Sequence, residues 1–131
     1  MEIMMLPMDD ILTKIKDVKG FEKVRFIILF GSAAEGRMSE GSDIYLCVYY
    51  DGSPEEASRF RLNVLSELFE DVYDVHIFQQ LPLYVRLEVL KGKVVYCKDI
   101  KFVYEVALET IKDFEEFKYH YYDYIGERAL T

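Results

Sequence analysis

A chain of 131 residues with a net charge of −8 is long enough for one domain with a single hydrophobic core. It has no Lys/Arg-rich stretch to attract a phosphate backbone, so nucleic acid is disfavoured as a partner. No apolar run reaches the roughly 18 residues needed to span a bilayer, and the Met-rich start carries Glu2, Asp9 and Asp10 in place of a basic region, so the expected location is cytoplasmic, with no membrane contact. Cys47 and Cys97 are too few and too far apart for a disulfide framework or a four-ligand zinc site and read as two buried small hydrophobes, while 11 Tyr and 9 Phe without Trp are many rings for one core, so some are expected at an interface.

Apolar residues at Ile11, Leu12, Ile15 and Val18 have helical spacing and predict a first helix over Met8 to Val18, closed by Lys19-Gly20. Lys23 to Phe30 is apolar on both faces towards its end, the pattern of a central strand covered on two sides. It ends at Gly31-Ser32, and Ser32 to Arg37 reads as a short helix before Gly36 and Gly41 turn the chain back. From Ser42 the alternation puts Ile44, Leu46 and Val48 on one face, with Asp43, Tyr45, Cys47 and Tyr49 on the other.

Ser53-Pro54-Glu55-Glu56 is a helix start with Ser at the N-cap, Pro at the first helical position and Glu at the third, and Phe60, Val64, Leu65, Leu68 and Phe69 carry the helix to about Glu70. A third strand covers Tyr73 to Phe78, with Asp74, His76 and Phe78 sharing a face. Pro82 to Leu90 forms a short helix and Val94 to Cys97 a last strand. From about Asp99 to Gly126 a long helix carries Val103, Val106, Ala107, Thr110, Ile111, Phe114, Phe117, Tyr121 and Tyr124 along one stripe. The fold class is therefore α/β (α+β): one domain over residues 1–131, a small mixed sheet of about four strands backed by helices, and a long C-terminal helix.

A Gly-Ser turn between strand and helix suits phosphate. Gly31 allows close backbone approach, Ser32 offers a hydroxyl, and the helix start supplies unpaired N–H groups. Alone, such a turn is usually only a turn. A carboxylate inside an apolar strand, as at Asp74, is scarcer. His76, on the face of Asp74, could serve as a ligand or orient that carboxylate, but a solitary strand histidine is usually packed or solvated, and it is given no role. Arg37 reads as a solvated side chain.

The combination is more specific. Gly31-Ser32, nine residues, then Ser42-Asp43-Ile44-Tyr45-Leu46 resembles the signature of the DNA polymerase β-like nucleotidyltransferase superfamily. The chain's size and tail resemble the minimal nucleotidyltransferase family within it, as do Asp74 followed by Pro82, the strand Gly92 to Tyr96 and the segment Asp113 to Lys118. The resemblance implies a nucleotidyltransferase fold, with Gly31, Ser32 and Ser42 binding nucleotide and ATP as substrate. It also implies carboxylates that hold Mg2+ or Mn2+ for transfer of an adenylyl group, the role that falls to Asp43 and Asp74 as catalytic and metal-binding residues. The implied partner is a HEPN-domain toxin, modified on a Tyr by this chain acting as antitoxin. A homodimer would satisfy the same aromatic surface.

Two departures from the family pattern stand out. Glu35 occupies a place where relatives often carry a basic residue. Tyr45 stands where the family has a second metal-holding Asp, and a phenol, with an ordinary pKa near 10, must lose a proton to act as an anionic ligand. Two readings follow: an adenylyltransferase working with Asp43 and Asp74, or an inactive homologue that neutralises its partner by binding alone.

Overall fold

The structure, a computed structural model, describes residues 8–31, 44–69 and 72–130, of which 121–130 by backbone alone. The elements are α1 (Met8–Lys16), β1 (Val24–Phe30), β2 (Ile44–Tyr50), α2 (Pro54–Leu68), β3 (Tyr73–Ile77), α3 (Leu83–Leu90), β4 (Lys93–Cys97) and α4 (Ile100–Leu130), with short 3-10 turns at Phe21–Lys23 and Phe78–Gln80. The short helix expected over Ser32 to Arg37 lies outside the described residues. Among these residues no helix is long and apolar enough to cross a membrane.

The four strands form one mixed sheet in the order β3-β2-β1-β4. β1 runs antiparallel to both its neighbours, and β2 and β3 are parallel, joined through α2. The two central strands are those with the densest apolar runs, since each is covered on both faces. On one face Ile27, Leu29, Leu46, Val48, Val75 and Ile77 meet Ile11 and Ile15 of α1 and Phe60, Val64 and Leu68 of α2. On the other, Phe26, Ile28 and Cys47 meet Val89 of α3 and Val103 and Val106 of α4. Gly92 allows α3 to turn tightly onto β1, because a Cβ there would stand 2.5 Å from the Leu29 carbonyl oxygen.

The start of α2 is built as its sequence requires. The Glu56 backbone N–H donates to the Ser53 hydroxyl at 3.2 Å, and the Ser53 N–H donates to the Glu56 carboxylate at 3.2 Å, a capping box behind Pro54. Lys23 reaches the other Glu56 oxygen at 2.5 Å. Hydrogen bonds from Lys23 and Ser53 hold the Glu56 carboxyl down, from the ordinary 4.5 to about 2. A depressed carboxyl adds stability above its ordinary value and loses it as pH falls through the folded value. Denaturation midpoints are therefore expected to drop between pH 4.5 and about 2 more steeply in the parent than in Glu56→Gln. Ser53→Ala is expected to cost about 1 kcal/mol at neutral pH. Superimposable acid limbs for parent and Glu56→Gln would contradict this.

One expectation about packing needs correction, the burial of Cys97. Among the described side chains of the α4 stripe, Val103, Val106 and Thr110 are buried, whereas Ile111 is 47% and Phe117 58% exposed. The reason is length: 31 residues make a helix about 46 Å long, about twice the span of a seven-residue strand, so α4 outruns the sheet. Tyr121 and Tyr124 lie where side chains are outside the described residues. Cys47 is buried, but Cys97 is only partly so.

Candidate active site

The described residues of the site expected from the sequence, Gly31, Tyr45 and Asp74, lie at one end of the sheet, where β1 ends and β2 and β3 begin. Pairing sets Phe30 opposite Tyr45 and Tyr45 opposite Asp74, so the three residues form one row across β1, β2 and β3. Asp74 and His76 alternate onto the face that α3 and α4 cover further along, and His76 pairs with the buried Cys47. Burial pushes the Cys47 thiol up to about 12, with Arg86 pulling the other way, so Cys47 stays a neutral core residue.

Gly31 closes β1 with a φ of 86°, in the left-handed region that glycine tolerates best. A Cβ on it would also come within 2.9 Å of Tyr45 Cδ2. The Tyr45 ring thus lies directly against the turn, and its centroid is 5.5 Å from that of Phe30. Glycine is required here both by its backbone angle and by the neighbouring ring.

Asp74 is half-exposed and engaged. Its Oδ2 lies 3.0 Å from His76 Nε2. The side chains retain 39% and 34% of their exposure, so solvent or a ligand can reach both. The Phe30 ring borders the pair, 6.4 Å from the imidazole centroid. The structure therefore brings Gly31, Tyr45 and Asp74 together, while Ser32, Ser42 and Asp43 lie outside the described residues. Among the described residues no group of three or more His, Cys, Asp or Glu is placed to hold a metal ion. Sequence reasoning gave His76 no role. The strand spacing that puts it on the face of Asp74 was legible, but that spacing alone does not separate a working histidine from a packed or solvated one.

A family model described as Polymerase beta, Nucleotidyltransferase matches residues 13–101. A protein of Methanocaldococcus jannaschii, named "Putative protein adenylyltransferase MJ1547", is 34% identical over 80 residues, which is 60% of this chain. The chain matches 61% of that relative's length. In fold, the chain resembles one in a toxin-antitoxin crystal structure with AMP-PNP, at a TM-score of 0.73 and 19% identity, covering 93% of this chain and 98% of that one. It also resembles a chain in a complex of tri-AMPylated Shewanella oneidensis HEPN toxin with MNT antitoxin, at a TM-score of 0.64 and 17% identity, covering 91% and 92%. At these identities the structural likeness concerns the fold.

Proposed function

Because this chain belongs to the polymerase β nucleotidyltransferase family, we propose that it transfers AMP from ATP to a tyrosine of a HEPN-domain toxin and acts as that toxin's antitoxin. The observation that supports the reading is the strand register, which sets Phe30, next to Gly31, across β2 from Asp74, so that the glycine and the carboxylate belong to one end of the sheet. The names of the relatives, an adenylyltransferase and an antitoxin bound to an AMPylated toxin, supply the acceptor class.

In this reading Gly31, Ser32 and Ser42 hold the triphosphate, Gly31 through close backbone approach and Ser32 through its hydroxyl. Asp43 and Asp74 hold a divalent ion, Mg2+ or Mn2+. When bound, it offsets the charge of the triphosphate and stabilises the departing pyrophosphate. The donor set fits such an ion, since the Asp74 carboxylate is accessible and a second donor lies beside it. The exposed stripe Ile100, Tyr104, Leu108 and Ile111 on α4 gives the partner an apolar surface to cover.

One observation favours the second reading, inhibition by binding alone. Tyr45 fills the space beside Gly31 with a ring where the family pattern has a carboxylate. Calorimetry with Mg2+·ATP, followed by incubation with labelled ATP and a HEPN-type protein, separates the two. Binding at least about tenfold weaker in Asp74→Asn, together with label on a partner tyrosine, is expected for the enzyme. A parent that binds no ATP and silences the toxin only stoichiometrically would rule out transfer in favour of binding alone.

A further inference from the structure

We propose that His76 Nε2 is a further ligand, beside the Asp74 carboxylate, to the site's divalent ion, and that this nitrogen donor makes the site prefer Mn2+ to Mg2+. The inference rests on the reading of Asp74 as a metal ligand and adds a residue that the family pattern does not supply.

The geometry is that of a chelating pair. Asp74 and His76 are two apart on one strand, so they project from the same face. Their polar atoms are 3.0 Å apart. Two neighbouring ligands of an octahedral ion, each bonded at about 2.1 Å, are also about 3.0 Å apart. The two donor atoms are thus already at the separation that neighbouring ligands of such an ion would have. Both side chains remain about one-third exposed, which leaves room for water and phosphate oxygens to complete the shell.

The chemistry of the pair sets the preference. Where the family pattern has a second Asp, Tyr45 brings no carboxylate, so the ion meets less negative charge than Mg2+, a hard cation, is best held by. Imidazole is a softer donor than carboxylate, and first-row transition ions, of which Mn2+ is the weakest binder, accept it more readily than Mg2+, which keeps to oxygen ligands. Of the groups beside His76, Phe30 presents a ring, and Cys47 is buried and neutral.

The probe is Mn2+ alone, and then with ATP, on the full chain. Pulsed EPR of the Mn2+-bound parent is expected to show nitrogen coupling from a directly bound imidazole. Calorimetry is expected to give Mn2+ at least about tenfold tighter than Mg2+. His76→Ala and His76→Gln should lose the nitrogen signal and about tenfold in Mn2+ affinity, with little change for Mg2+. Absence of nitrogen coupling in the parent overturns the proposal without any variant. So does unchanged Mn2+ affinity in both His76 variants when Asp74→Asn has lost binding, a result that leaves Asp74 as ligand intact. If Asp74→Asn binds Mn2+ like the parent, the underlying metal reading fails together with the inference.

Discussion

Replacing Tyr45 with Asp is expected to raise the rate of adenylyl transfer at least about a hundredfold, which requires about 2.7 kcal/mol off the barrier. Position 45 lies directly opposite Asp74 across the parallel β2–β3 pair, on the face that carries Asp74 and His76. A carboxylate there adds an anionic oxygen donor beside the one already present, and removing the ring clears the side of Gly31, which Tyr45 now borders. The gain is offset by stability. The variant loses the contact with Phe30, worth about 0.5–1.5 kcal/mol for an aromatic pair, and places two carboxylates on adjacent strands. Without metal it should melt below the parent. Because the ion binds the native state alone, saturating Mg2+ or Mn2+ should raise its melting temperature more than the parent's. Label transfer from ATP and melting curves with and without metal measure both effects. Equal rates and equal metal-dependent shifts would mean that position 45 is not a ligand position, and the enzymatic reading would lose its main support.

How far the sequence could be read depended on how local each signal was. The α2 start was legible to the residue, because Ser53, Pro54 and Glu56 act within one turn. So was the face shared by Asp43, Tyr45 and Cys47, at least for the described residues 45 and 47, because strand parity needs no tertiary knowledge. Strand neighbours were less accessible. That β2 and β3 pair in the register Tyr45 to Asp74 follows from how α2 crosses over, and no pattern within either strand encodes it. Two features had no local signal at all. The irregularity between Val24 and Phe26 lets both residues be buried on opposite faces, although they are two apart and strict alternation would put them on one. The end of the buried seam on α4 at Thr110 depends on the size of the sheet beneath it, which the helix's own periodicity cannot report.

Phe26→Ala is expected to cost about 3–5 kcal/mol, the range for removing a large aromatic side chain from a packed core. Phe26 is fully buried, at 0% exposure. The irregularity that turns it towards α4 puts its ring 5.1 Å from Tyr49 of β2, 5.7 Å from Phe78 in the turn after β3, and 6.3 Å from Phe102 of α4. One side chain therefore ties the central strand to its neighbour, to the exit of β3 and to the C-terminal helix. Among its described side chains the buried ones are Val103, Val106 and Thr110. Arg25 adds a guanidinium 3.8 Å from the centre of the Phe102 ring, a contact that depends on Phe102 staying in place. A domain of this size has about 5–15 kcal/mol of stability in total, so the variant should unfold at a much lower urea concentration. Tyr104→Ala, six residues before the buried Thr110 but 63% exposed, is the matched control and should shift stability by no more than about 0.5 kcal/mol. If both variants cost the same, or if Phe26→Ala costs under about 1 kcal/mol, α4 is not docked on the sheet through this ring cluster.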